Sequence, residues 1–401
     1  MGNTTHKGKR TYPKSSYKQV IRYIHEEDAA IQAASESRGG DWMEGDLDLS
    51  GHPFTQWPDL SVASLHQVRR LVLDHADLDH APADWLSFDR LDSLEELHLD
   101  GNRLNVLPKS LTHFSHLQRL SLYANYLHTL PQGVGRLSAL RDLSLGKNRL
   151  RVIPPGIFRL SGLRRLNLAE NAIETIPAEI AALSRLRMLD LGHNRIRALP
   201  AELAALHELE DALYLSNNLL NDVPEAVFQR MSRLRYLGLT HNPLAALPDS
   251  LGDLTALEEL RLYANGLQTL PHTITRLEHL RELHLQDNRL EALPASLGAL
   301  ARLRELVVSN NQIAHLPPSV SQLRRLARLD LRNNPLEDLP EEIGLMGSLT
   351  HLDLRATRLT RLPHSMEQLM RLEKLDVRWT KLRKEPPWFV ALRERGCRIL
   401  V

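Results

Sequence analysis

The sequence predicts an α/β solenoid, with a parallel β-sheet on one side and short helical or 3-10 turns on the other. Three observations predict it. A 23-residue phrase, clearest at 257–279 as LEELRLYANGLQTLPHTITRLEH, returns along most of the 401 residues. Self-similarity at a fixed period marks a coil that stacks on copies of itself. Within the phrase Leu260 and Leu262 point one way and Arg261 the other, the period of two of a strand. An asparagine then recurs three residues past that pair, at Asn102, Asn125, Asn148, Asn171, Asn194, Asn218, Asn242, Asn265, Asn288, Asn311 and Asn334, and Thr357 and Thr380 continue the column.

The elements follow in order. Residues 1–16 are polar, basic and aperiodic, with Lys7, Lys9, Arg10 and Lys14, and predict a disordered arm. Such an arm reads as a solvated tail or as a localisation, secretion or anionic-surface signal. Gly2 does not complete a myristoylation motif, which needs Ser or Thr where His6 stands. Over 17–41, Val20, Ile21, Ile24 and Ile31 fit one helical stripe that ends at Arg38-Gly39-Gly40, a helical N-terminal cap for the first coil. The repeats fill 42–385, about fifteen of them. The first two are degenerate, with His52 and Ala76 in the asparagine slot and Phe54, Trp57, Trp85 and Phe88 nearby. End coils have a neighbour on one side, so they depart from the pattern. Asn194, Asn218 and Asn242 are spaced by 24 rather than 23. In 386–401, Pro386-Pro387 opens a short amphipathic helix, Gly396 closes it, and 397–401 reads as a last strand.

Each part of the phrase has a physical task. Stacked L-x-L segments make a parallel sheet whose inner face is leucine. An asparagine amide carries both donor and acceptor, so a buried column of them can bond the backbone of adjacent coils. Threonine supplies part of this and Ala76 none, which predicts a looser second coil. Leu270-Pro271 ends the pairable stretch, since proline has no N–H. The pattern L-x-x-L-x-L-x-x-N-x-L-x-x-L-P resembles the leucine-rich repeat family over about 42–401, and most of all its 23-residue L-P-x-x-[IL]-x-x-L class, found in Scribble-like and Ras-suppressor-type proteins and bacterial counterparts. That resemblance implies a horseshoe with a concave parallel sheet, and repeats that bind proteins, often in signalling, without doing chemistry.

Composition narrows the function classes. Fifty basic against 49 acidic residues leave no global field to steer a polyanion, so no nucleic-acid partner is expected. No stretch is apolar enough for membrane insertion. Cys397 is the one cysteine, so no intramolecular disulfide forms and a reducing, cytoplasmic setting is expected. Cys397 itself reads as a small buried hydrophobe. No phosphate-loop, nucleophile-elbow, H-E-x-x-H or C-x-x-C pattern occurs, so neither an enzyme nor a cofactor is expected. Asp74, His75, Asp77, Asp79 and His80 have the density of a metal site but the spacing of no ligand motif, and no metal is assigned to them.

The candidate site is the exposed face of the sheet. Tyr214, Tyr236 and Tyr263 fall on three adjacent strands where the spacing slips, with Tyr123 further off. Tyrosine suits an interface centre because it buries a large area and keeps a polar handle. Arg261 and His284 project beside them. Asp330, Asp353 and Asp376 stand next to Arg332, Arg355 and Arg378, a charge ladder that compensates itself, with Trp379 at its edge. The expectation is a non-enzymatic interaction scaffold or signalling adaptor that takes a protein partner on the concave face. The alternative is a secreted bacterial effector using the same solenoid on a host protein.

Overall fold

The computed structural model describes residues 45–51, 65–78 and 91–401. The expected arm and helical cap at 1–41 lie outside the described residues, as do Phe54, Trp57, Trp85 and Phe88. The chain divides into two compact units, residues 1–143 and 144–401.

In the first unit the L-x-L segments become β1 (Asp46–Asp48), β2 (Arg70–Val72), β3 (Glu96–His98) and β4 (Arg119–Ser121). They pair in parallel and in order, with Leu47, Leu71, Leu97 and Leu120 opposite one another. Strand β5 (Asp142–Ser144) spans the boundary residue. The second unit continues with β6 (Arg165–Asn167), β7 (Met188–Asp190), β8 (Ala212–Tyr214), β9 (Tyr236–Gly238), β10 (Glu259–Arg261) and β11 (Glu282–His284). It ends with β12 (Glu305–Val307), β13 (Arg328–Asp330), β14 (His351–Asp353), β15 (Lys374–Asp376) and β16 (Arg398–Leu400). These too are parallel and sequential. The α/β solenoid expected from the sequence is the architecture of both units.

Every strand among the described residues is three residues long, and in the regular repeats the asparagine turn follows it. The return segments are 3-10 turns of three to six residues, such as His272–Arg276 and Pro318–Gln322. Proline starts them without losing a bond. Pro271 is extended, at φ −62° and ψ 140°, and its carbonyl accepts the N–H of Ile274 at 3.1 Å. The one α-helix among the described residues is α1 (Phe389–Glu394).

The core of each coil is leucine: Leu260, Leu262, Leu267, Ile274, Leu277 and Leu280 are fully buried. Each contributes roughly 1.5–3 kcal/mol of transfer free energy, but only because a neighbouring coil covers it.

The asparagines form the expected ladder. Asn288 Nδ2 donates to the Leu262 carbonyl of the preceding coil and to Leu285 of its own, both at 2.9 Å, while Oδ1 accepts the N–H of Leu267 at 3.1 Å. Thr357 makes one of these bonds, Oγ1 to the Leu354 carbonyl at 2.8 Å. Ala76 is better provided for than its side chain suggests. It is fully buried, and its N–H is held by Asn102 Oδ1 from the next coil at 2.7 Å. Asn265 departs from the pattern, since its Oδ1 takes the N–H of Asn242 at 3.1 Å. Pro243 stands there where neighbouring coils have a donor, such as Gly266 to the Leu244 carbonyl or Leu219 to that of Ile196, both at 2.9 Å.

The residue before the ladder position is left-handed in coil after coil. Ala124, Lys147, Glu170, His193, Ala264, Ala356 and Trp379 all have φ between 54° and 60° or within a degree of it. A β-carbon there costs of order 1–2 kcal/mol, so the ladder holds the turn against local strain.

Candidate protein-binding face

Strands β8 to β11 carry a row of side chains in register: Tyr214, Gly238, Arg261, His284. Tyr236 belongs to the adjacent row, opposite Glu259. Yet its ring fills the space that Gly238 leaves empty. A β-carbon built on Gly238 would lie 3.1 Å from Tyr236 Cε1 and 3.2 Å from its Oη. The effective sequence along the row is therefore Tyr214, Tyr236, Arg261. The two rings approach to 4.7 Å between centroids at 40°, and the Arg261 guanidinium lies 5.7 Å from the Tyr236 centroid. Both distances are within the range of favourable ring–ring and cation–π contact. Arg261 also pairs with Glu259 through Nε, which fixes the guanidinium over the ring.

Half-burial sets the chemistry of the stack. The Tyr236 hydroxyl is pushed up from 10.0 to about 12, mainly by burial, with Arg261 opposing. Tyr214 is raised as well, by burial and then by Asp190. Asp190 is itself raised by burial, against the N–H of Gly192 that donates to it at 2.9 Å. Both hydroxyls are neutral at physiological pH, and the site presents amphipathic rings beside one fixed cation.

The other sequence candidates occupy different surroundings. Tyr263 packs edge-on against His241, with 5.4 Å between centroids, rather than joining the stack. His284 turns its Nε2 toward Glu282 at 3.3 Å. Arg332 pairs with Asp330 at 3.3 Å. Arg355 grips Asp353 through two nitrogens, at 2.5–3.0 Å, and reaches Asp376 at 3.5 Å. Arg378 bonds Asp376 at 2.9 and 2.7 Å. Asp376 is 1% exposed. Burial pushes its carboxyl up, but the hydrogen bonds and charge of Arg378, then the charge of Arg355, bring it below the usual range. The ladder is thus partly buried rather than an exposed set of pairs. Trp379 is 73% exposed, lies beneath Arg378 at 5.4 Å, and borders a depression lined by Leu382, Arg383 and Phe389. In the first unit, the backbone N–H of Tyr123 donates to Asp100 Oδ1 at 2.8 Å, and the Ser121 hydroxyl donates to the same oxygen at 2.7 Å.

Asp74 Oδ1 accepts the N–H of Asp100 at 2.7 Å, and Asp79 and His80 lie outside the described residues. Among the described residues the group whose donor atoms converge is Glu259, Glu282 and His284, all within 4.8 Å of one another. Sequence reasoning missed it, and it missed Gly238 as the residue that seats Tyr236.

The repeats, the parallel sheet and the asparagine ladder define a class, and comparison with known proteins agrees. A family model described as leucine rich repeat matches residues 92–148, 138–196, 211–267, 255–313, 278–336 and 324–382. The chain belongs to the leucine-rich repeat family. Repeats of this family commonly mediate protein–protein interaction. A leucine-rich repeat protein of Leptospira interrogans is 31% identical with a TM-score of 0.74, covering 89% of this chain and 96% of that one. The plant peptide hormone receptor RGFR1, solved in complex with RGF2, is 30% identical with a TM-score of 0.59 over 73% of this chain. The match spans about half of that receptor chain, 52%. An internalin of Listeria monocytogenes shares the fold, with 21% identity and a TM-score of 0.67 over 79% of this chain and 88% of that one. No curated protein matches the chain. No helix among the described residues is long and apolar enough to cross a membrane.

Proposed function

We propose that this protein is a non-enzymatic interaction scaffold that takes a protein partner on the sheet face, centred on Tyr214, Tyr236 and Arg261. The observation that carries the reading is the stack itself: two half-buried tyrosines and an arginine, seated by a glycine, on a rigid face. Such rings present large area with little rotamer entropy to lose, which is the property of interface anchors. The plant receptor similar to this chain is known with a peptide hormone bound, which supports a protein ligand here. The 23-residue L-P class, with its single cysteine, supports a cytoplasmic signalling adaptor. Tyr263, with His241 against it, and His284 extend the contact.

The test is quantitative capture from native extract by the full chain and by Tyr236→Ala, Tyr263→Ala and Trp379→Ala. The reading requires a saturable partner that Tyr236→Ala loses by at least tenfold and Trp379→Ala retains. Equal retention by wild type and Tyr236→Ala would falsify it.

A further inference from the structure

One strand motif, Glu-Leu-His, occurs twice on the sheet face with opposite neighbours. On β3, Glu96 stands in register between Arg70 and Arg119, whose guanidinium groups reach it at 3.4 and 2.8 Å. On β11, Glu282 stands in register between Glu259 and Glu305. Three carboxylates on neighbouring strands sit about 4.8 Å apart along the sheet, an arrangement that disfavours the fold unless cations intervene. Arg261 meets Glu259 and Arg328 meets Glu305. Glu282, in the middle, makes its close contact with His284 Nε2, at 3.3 Å, rather than with an arginine.

We propose that Glu259, Glu282 and His284 bind a divalent transition-metal ion, which supplies on β11 the positive charge that two arginines supply on β3. The donor atoms already lie within 4.8 Å of one another. Coordination bonds of about 2.0–2.2 Å would bring them to roughly 3.4 Å, a change within reach of two glutamate side chains. The His284 side chain is 16% exposed, so its ring is held while the carboxylates close on the ion. Gln286, two residues past His284 in the chain, has a buried Oε1 with no hydrogen-bond partner. One imidazole nitrogen with carboxylate oxygens suits zinc or manganese, whereas calcium and magnesium prefer oxygen alone. Closure also draws Glu259 away from Arg261, so the ion would alter the guanidinium that lies over Tyr236. The site stands independently of any partner on that face.

The experiment is calorimetric titration of the chelator-treated full chain with zinc chloride, manganese chloride and magnesium chloride. One saturable equivalent of zinc or manganese is expected, with magnesium at least tenfold weaker. Glu282→Gln, which keeps the shape of the side chain, and His284→Ala should each weaken binding tenfold or more. His98→Ala and Glu305→Gln should bind as the wild type does. Absence of saturable binding overturns the proposal. So does an equal loss in His98→Ala, or a loss in Glu305→Gln matching that in Glu282→Gln, which would mean diffuse charge rather than a site. Circular dichroism of each variant separates loss of ligands from loss of fold.

Discussion

Replacing Gly238 by valine tests the construction of the tyrosine stack. A β-carbon there would stand 3.1 Å from Tyr236 Cε1, 3.2 Å from its Oη and 3.1 Å from Ser216 Oγ. Those separations are inside the roughly 3.5–4.0 Å optimum for carbon contacts, and valine's two methyl groups would take the ring's own volume. Tyr236 must then leave, forfeiting its contacts with Tyr214 and Arg261, together about 1–2 kcal/mol. Stability alone reads this poorly, because valine in a strand regains up to ~1 kcal/mol over glycine.

The hydroxyl reads it directly. Seated, Tyr236 has its pKa raised from 10.0 to about 12. A folded-state value above the unfolded one stabilises fully below about pH 10 and is lost as pH rises through about 12. Two full units would be about 2.7 kcal/mol, and solvent screening of the half-buried ring reduces this to about 1–1.5 kcal/mol. Near pH 11, a hydroxyl with its midpoint near 12 is about one-tenth ionised, and one near 10 is about nine-tenths ionised. Tyrosinate absorbance, taken as wild type minus Tyr236→Phe, isolates this group among the eight tyrosines. The same difference in the Gly238→Val background should move down toward pH 10, by about one unit on the screened figure, with the fold intact by circular dichroism. If Gly238→Val leaves the Tyr236 titration where it was, the ring does not sit over Gly238 and the stack is misread.

Three further outcomes follow from the scaffold. Asn288→Ala orphans the N–H of Leu267 and takes one donor from the carbonyls of Leu262 and Leu285, which Asn265 and Asn311 still reach; at about 1–3 kcal/mol for a buried group left unpaired and less for each carbonyl, it should cost about 2–3 kcal/mol in urea unfolding. Asn288→Thr, keeping the own-coil bond that Thr357 makes, should cost less than that, and equal losses would contradict the ladder. Ala356→Gly relieves a left-handed alanine at φ 53° and should raise stability by about 0.5–1 kcal/mol, strain less glycine entropy; a lower melting temperature would count against it. Asp376 is held below its ordinary value, so its contribution is complete above about 3.8 and is lost as pH falls through the lower folded value. Melts across the acid range should therefore show wild type losing its advantage over Asp376→Asn, and parallel curves would show that the pair is not coupled to folding.

Repetition made the architecture legible. Thirteen threonines and asparagines in one column place every turn from Asn102 to Thr380, and the L-x-L pairs beside them place the strands. What repetition hides is contact between rows. Tyr214 and Tyr236 stand in different rows, and they touch because Gly238 has no side chain and Tyr236 leans along its strand into the gap. A glycine two residues after an aromatic was the available signal. Glu259 and His284 are 25 positions apart in sequence, and register alone puts them together. The left-handed position was hidden for another reason. Its occupants include alanine, lysine, glutamate and tryptophan, residues that announce no positive φ, because the ladder and not local preference dictates the conformation.

The sheet face of the second unit divides by how its side chains are already engaged. On β13 to β15, Arg332, Arg355 and Arg378 are bound to Asp330, Asp353 and Asp376, and releasing Arg378 would leave a carboxylate that is 1% exposed with only Arg355, 3.5 Å away and already engaged by Asp353. An unpaired buried charge is strongly destabilising, so a ligand that recruits these arginines must first break what holds them. On β8 to β10 no such debt exists: the tyrosine rings are neutral and half-buried, and a partner can cover them without dissolving an ion pair. Arg261 stands between the two regimes, shared between the Glu259 carboxylate and the Tyr236 ring. Substituting Arg355 should therefore act on stability, and substituting Tyr236 on binding, because the same solenoid uses one stretch of its face to neutralise itself and leaves the other open to be covered.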